Sequence, residues 1–436
     1  MISALVGDYN LTKDKFFLVL VNLTIFSYLV FYALIPHGYA YGPAIILFCS
    51  LVTIWLPNCR VRLSENDWKI LAVFILMFFV SIFLMLIHGF DSSGFDRSSK
   101  FFLAAFCLIF LIRYPVRPGV FWIGVAVSAS LLGLYAILQV TRREMGLPPL
   151  FFDYSGYRVS GAENAIYFGN SALILGLFCL AALKWGVHQK HPRVWVLVLL
   201  LGFLLGLVGS LLSGTRSGWV TVPFSFLVLM RIYKEYLSWK RLLAVFGLGV
   251  VAIILILIIP QTKVYDRVFH VYYDISEYYV NDNPKTSIGY RFEMWKSGFL
   301  AFQESPLFGL GKEGYDKFES QLIDKNEIIG NISKWRHLHN QYIDTLAKQG
   351  ILGLLALLIV FFVPLKLFYN FSSSNDPTVR SLAAAAMIFM IAYIDINLTQ
   401  ALFARNIGVM KFAFMVILLW SMLSAFERKK SEVIES

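Results

Sequence analysis

Arg216 lies in Ser213-Gly214-Thr215-Arg216-Ser217-Gly218, a run of small residues between two long apolar stretches. A guanidinium there is costly unless it is paired or reaches water. It either snorkels to the headgroups or holds an anion, since guanidinium grips phosphate oxygens as a bidentate fork and the small neighbours leave room for a bulky ligand. Arg291 opens a stretch of helical periodicity, where a cation opposes the helix dipole. Either an acid such as Glu293 pairs with it or a ligand anion does. His337-Leu338-His339-Asn340 adds two imidazoles, whose pKa suits proton transfer near neutrality. His339 is the candidate base, or donor to a developing charge; a satisfied structural histidine is the plain alternative. A His-x-His pair also invites a metal, but no acidic or Cys ligand follows at useful spacing, and two residues apart on a helix face different ways. No metal is expected. His337, Asn340, Trp295 and Arg158 are candidates for substrate contact. Asp395, near the end of an apolar run, would want an arginine partner.

These residues hang on an apolar frame. The 436 residues are 58% hydrophobic and 15% charged, with a mean hydropathy of +0.68. Soluble domains are about 45–50% apolar and about 25% charged. A soluble globular, disordered or disulfide-framed chain is excluded, and long apolar runs argue against an outer-membrane barrel. The fold class is an all-α polytopic membrane protein. Hydrocarbon about 30 Å thick needs about 20 apolar residues. Twelve spans are expected, near 16–34, 41–56, 68–88, 101–113, 118–140, 166–184, 194–212, 217–232, 241–260, 350–369, 379–398 and 405–426. Residues 16–34 could instead be a signal peptide, but the run is long and no small-x-small cleavage site follows.

The net charge of +11 and pI near 9.3 could suggest a nucleic-acid partner, but the charge placement argues against one. With the N-terminus inside, nearly all the excess falls on cytoplasmic loops, at Arg113 and Arg117 or Lys190 and Arg193 for example, and the 261–349 segment is close to neutral. That is the positive-inside signal. The four cysteines (Cys49, Cys59, Cys107 and Cys179) all avoid this segment and read as small core residues.

Three parts follow: a bundle over 1–260, an outer helical segment over 261–349 and a second bundle with a tail over 350–436. In the outer segment, Val264, Val268, Tyr272, Ile275 and Tyr279 recur at helical spacing, the pattern of a surface-lying helix. Residues 281–284 read as a turn, 290–304 as an amphipathic helix with Arg291 and Trp295 one turn apart, 306–314 as a connector and 313–327 as a polar helix. A helix over 339–349 carries His339 and is stopped by Gly350 in a left-handed cap, with a span beginning at once.

The order of parts resembles the O-antigen ligase/polymerase superfamily of bacterial envelope glycosyltransferases. The matching pieces are Gly214-Thr215-Arg216-Ser217-Gly218, Arg291-Phe292-Glu293-Met294-Trp295, Pro306-Leu307-Phe308-Gly309-Leu310-Gly311, His339-Asn340-Gln341-Tyr342 and Gly350-Ile351-Leu352-Gly353. The resemblance, closest to the ligases, implies a GT-C-like membrane fold in the bacterial inner membrane with its active site facing the periplasm. It implies transfer of a glycan from undecaprenyl pyrophosphate to a sugar of lipid A–core, with inversion and without a metal or other cofactor. Arg216, Arg291 and His339 would be the catalytic residues. A polymerase or protein glycosyltransferase of the same superfamily is the neighbouring reading, and a lipid-linked glycan flippase or other transporter the rival from another class. Transporters usually place polar groups at the bilayer midplane; here they collect at one face.

Overall fold

The computed structural model describes residues 13–54, 61–152, 158–233 and 264–435, with isolated positions between 240 and 254. Among the described residues there are fifteen α-helices and no strand. The first nine are α1 (Lys13–Phe31), α2 (Gly38–Ile54), α3 (Glu65–His88), α4 (Ser92–Arg113), α5 (Pro118–Glu144), α6 (Ala165–Ala181), α7 (Leu183–Val187), α8 (Pro192–Leu212) and α9 (Thr221–Tyr233). A lobe follows, with α10 (Val264–Val280), α11 (Ser287–Glu304) and α12 (Gly311–Asp324), and then α13 (Gln341–Asn370), α14 (Pro377–Ile396) and α15 (Asn406–Glu435).

Eight helical stretches are long and apolar enough to cross a membrane: α1, α3, α5, α6 with α7, α8, α13, α14 and α15. α2 and α9 are shorter apolar helices. Large apolar side chains such as Phe48, Leu86 and Leu197 stand exposed on helix surfaces, the outward face expected of a bundle solvated by lipid. The expected span at 241–260 lies outside the described residues. The other eleven expected runs each fall on a helix, with shifted ends. α4 starts well before its apolar run because Asp91 caps it, accepting the Ser93 N–H at 3.2 Å. Its 22 residues span about 33 Å at a rise of about 1.5 Å, but its polar first turns keep it from being one of the eight stretches apolar enough to cross. α9 starts only at Thr221 because the residues before it form turns.

Small residues let the bundle close. α8 lies against α5 at Gly133 and against α6 at Gly176 and Gly206, where an added methyl would strike backbone of the facing helix. Such close approach replaces the hydrophobic drive missing in lipid. Asp67, in the first turn of α3, ties that end to α15 by accepting from Trp420 Nε1 at 2.8 Å, Ser424 Oγ at 2.9 Å and Arg428 Nη2 at 2.6 Å. Cys49, Cys107 and Cys179 are buried and free; Cys59 lies outside the described residues.

The lobe has its own small core, in which Met294, Ala301, Tyr315, Leu322, Ile332 and Leu338 meet. It joins the bundle through α13, which is one helix broken at Gly350. Gly350 (φ 63°, ψ −161°) is outside the left-handed helical cap expected there, in a region open almost only to glycine. The break frees N–H groups, and the 306–311 connector takes them. Pro306 O accepts from Ile351 N at 2.8 Å and Leu307 O from Leu352 N at 3.2 Å, while Leu310 N donates to Ala347 O at 3.0 Å. A Cβ on Gly350 would collide with the Leu307 backbone, and one on Gly309 with the Gln349 N. Connector and break are therefore one joint.

Candidate active site

The Arg216 turn sits on α6. Gly169 has no Cβ, and one there would strike the Ser213 and Thr215 hydroxyls. Thr215 Oγ1 donates to Ala165 O at 2.8 Å, and Asn170 Nδ2 donates to Ser217 Oγ at 3.0 Å. Arg158, expected at the substrate, holds this turn: its Nε donates to Ser213 O at 2.9 Å and its Nη2 to Thr215 Oγ1 at 3.1 Å. Arg216 itself is half-buried.

Arg291 lies in the first turns of α11, half-buried. Glu293 is not its acid. That carboxylate is taken by the Tyr278 hydroxyl at 2.8 Å and the Ile329 N–H at 3.1 Å. The acid that favours the Arg291 charge is Asp274, which also accepts from Ile288 N at 3.3 Å. Burial and then the Arg216 guanidinium outweigh Asp274 and push the Arg291 pKa down. Two residues 75 positions apart thus press on one another's charge, an arrangement that an anion between them would relieve.

His339 was expected on a helix. It lies in a loop, because α13 starts at Gln341 with Asn340 as its cap. The loop backbone turns both imidazoles to one side, so the rings of His337 and His339 meet at 4.4 Å between centroids instead of diverging. His339 has φ +50°, a left-handed conformation rare outside glycine. Leu338 pins it there: its carbonyl accepts the Trp295 indole N–H at 3.1 Å, its N–H donates to Asp344 Oδ1 at 3.2 Å and its side chain is buried. Lys348 closes the loop, donating to Arg336 O at 3.1 Å and Asp344 Oδ1 at 2.6 Å. Trp295 and Asn340, both expected at the substrate, thus have structural tasks. The Asn340 oxygen accepts from Tyr342 N at 3.0 Å and Ile343 N at 3.1 Å.

Burial, then His337, Arg291 and Arg405, push the His339 pKa down to about 4 against the pull of Gln400. The imidazole is neutral near pH 7. With Gln400 Oε1 accepting from Nδ1–H at 3.3 Å, the lone pair is on Nε2, the nitrogen able to take a proton. His337 Nδ1 accepts the His339 N–H at 3.4 Å, so its Nε2 carries the proton.

The loop between α14 and α15 was missed by sequence reasoning. It supplies Gln400 to His339, and Asn397 and Phe403 to Gln341: Gln341 N donates to Asn397 O, and Phe403 N to Gln341 Oε1, each at 2.8 Å. Arg405, exposed beside both histidines, was legible by the criterion that found Arg216, a cation at the edge of an apolar run. Asp395 has found a hydroxyl in place of an arginine, accepting from Thr221 Oγ1 at 2.6 Å. The side chains of Val264 and Val268 lie outside the described residues, but Tyr272, Ile275 and Tyr279 share an exposed face of α10.

Residues 201–358 match the family model described as O-Antigen ligase, a stretch that holds Arg216, Arg291, His337 and His339. A protein of Haemophilus influenzae described only as uncharacterized is 24% identical over 401 residues, 91% of this chain and 96% of that one. The O-antigen ligase of Escherichia coli is 23% identical over 270 residues, 61% of this chain and 60% of its own. The exopolysaccharide production protein ExoQ of Rhizobium meliloti is 29% identical over 113 residues, 24% of this chain and 25% of its own.

Proposed function

The chain belongs to the O-antigen ligase/polymerase superfamily, and from that premise we propose that it is a glycosyltransferase joining an O-antigen glycan, carried on undecaprenyl pyrophosphate, to a sugar of lipid A–core at the periplasmic face of the inner membrane. One observation carries the reading: the Arg216 charge bears on Arg291, and the Arg291 charge on the neutral imidazole of His339. Such a set suits a diphosphate leaving group and a hydroxyl nucleophile.

Arg216 and Arg291 bind the donor's diphosphate and neutralise charge as the bond from anomeric carbon to diphosphate oxygen breaks. Preorganised cations of this kind stabilise the transition state without reorganising. The acceptor hydroxyl attacks the anomeric carbon from the opposite side while His339 Nε2 takes its proton. A single displacement inverts the centre and gives no part to the paired carboxylates of the retaining scheme; Glu293 is held by Tyr278 and Ile329, and Asp344 by Leu338 and Lys348. The diphosphate's charge raises the His339 pKa as it binds, so the donor itself makes the base stronger. About twelve spans, with the lobe outside and its aromatic α10 at the interface, complete the proposed topology.

A second reading, the polymerase of the same superfamily, takes another lipid-linked glycan as acceptor. Purified protein in detergent, given a lipid-linked donor and a core acceptor, is expected to transfer glycan. Transfer only to a second lipid-linked glycan selects the polymerase reading. No transfer to either, with transport activity in sealed vesicles, overturns the enzyme.

A further inference from the structure

Below the Arg216 turn lies a cavity of about 40 Å³, room for about three or four waters at roughly 10–15 Å³ each. Tyr28, Tyr32, Tyr167, Asn170, Ser171 and Lys411 are among its lining residues. Lys411, on α15, is 8% exposed. Its Nζ donates to Ser171 Oγ at 3.2 Å and stands 4.4 Å from the Tyr32 ring and 5.6 Å from the Tyr167 ring. Among the described residues no carboxylate is within ion-pair distance of it; Glu163 is the acid whose charge reaches it. A buried cation inside a bundle is expensive, and a tyrosine cage returns only part of that through cation–π contact. Its connection to the site is short: Ser171 follows Asn170, and Asn170 bonds Ser217 beside Arg216.

This inference rests on the transfer reading above. In the donor each phosphorus of the diphosphate carries one negative charge. When the glycosidic C–O bond breaks, its electron pair stays on the diphosphate oxygen, the anomeric carbon bonds the acceptor oxygen and the acceptor proton goes to His339. The departing lipid diphosphate then carries three charges. Arg216 and Arg291 match the two present beforehand. We propose that Lys411 supplies the cation matching the third, a positioning residue that acts through the Arg216 turn and the low-dielectric bundle without touching substrate. Arg405 is a weaker source, because solvent screens an exposed charge.

A charge felt mainly as the third negative charge appears should alter kcat and leave donor KM nearly unchanged. Lys411→Met, of similar volume, is expected to lower kcat on the order of tenfold with donor KM within about twofold, while raising the thermal midpoint of the detergent-purified protein. Lys411→Arg, for whose larger head the cavity has space, is expected to recover most of the rate. Wild-type kcat in Lys411→Met overturns the proposal. So does a lowered midpoint in Lys411→Met, which would make the lysine a structural contact. If the wild-type protein transfers nothing, the transfer reading itself has failed, and the midpoint still decides whether the charge is held against stability.

Discussion

The turn that carries Arg216 is cut from the bundle, and the loop that carries His339 is cut from the lobe. The first is held by helices in contact through glycines, with Arg158, Thr215 and Asn170 spending their polar groups on neighbouring backbone and side chains. No described residue of that turn other than Gly214 has positive φ. The second is held by a small core and by the pins at Leu338, and it keeps His339 in a strained conformation. Strain persists only where surroundings over-determine it. The Arg216 turn is therefore rigid by packing, and the His339 loop by its hydrogen bonds to Trp295 and Asp344. Damage to either should have its own signature.

The largest effects belong to the groups proposed to touch substrate. His339→Ala is expected to lower glycan transfer by about 10²–10⁴-fold and Arg216→Ala or Arg291→Ala by about 10²–10³-fold, with unchanged abundance in the membrane. Arg291→Lys should not rescue, since a point charge lacks the fork. Transfer at wild-type level in His339→Ala would remove the base from the scheme. Next comes Gly350→Ala. Backbone strain of about 1–3 kcal/mol and a collision with Leu307 should loosen the lobe alone. Limited proteolysis is expected to cut within 264–349 while the bundle stays intact; equal cleavage of both would mean that the lobe is not separately held.

Titration sharpens the same contrast. The His339 pKa is pushed down to about 4 by burial and its cationic neighbours, below the ordinary value near 6.5. Its neutral form is therefore the folded one. The stability this contributes is fully present above about pH 6.5 and is lost as the pH falls through about 4. Activity at low donor concentration, kcat/KM, should stay flat from neutrality to about pH 5 and fall about tenfold per unit below about 4. At saturating donor the anion offsets Arg291 and the fall should begin at higher pH. Profiles of kcat and kcat/KM that coincide would sink the idea that donor charge tunes the imidazole.

Arg216, Arg291 and the histidines were legible because each is polar where its surroundings are apolar or helical, which needs no knowledge of partners. The helix over 264–280 was legible from period alone. What stayed hidden depended on contacts across the chain. The bond from Arg158 to Ser213 spans 55 positions and that between His339 and Gln400 spans 61, so neither shows in the local sequence. Lys411 sits inside an apolar run, where one charge scarcely interrupts the hydropathy and its cage comes from Tyr32, just past the end of α1, and Tyr167 on α6. The helix start at Gln341 was the avoidable error, since Asn340 before a periodic apolar run is a capping signal.

That cap supplies the smallest expected effect. Asn340 is buried, and its one side-chain oxygen already serves two N–H groups of α13. Asn340→Ala should cost about 1 kcal/mol of stability and shift His339 only slightly, because Gln341 N still donates to Asn397 O and Leu338 is still pinned by Trp295 and Asp344. Asn340→Asp keeps the oxygen and should retain the cap, while adding a negative charge next to His339 and the proposed diphosphate site. If Asn340 only caps, the alanine variant loses a few degrees of thermal midpoint and keeps most of its rate, whereas the aspartate variant keeps its midpoint and binds the donor less well. Complete loss of transfer in an alanine variant with a wild-type midpoint would return Asn340 to the substrate and would mean that the lobe, like the bundle, presents ligand contacts from its helix ends.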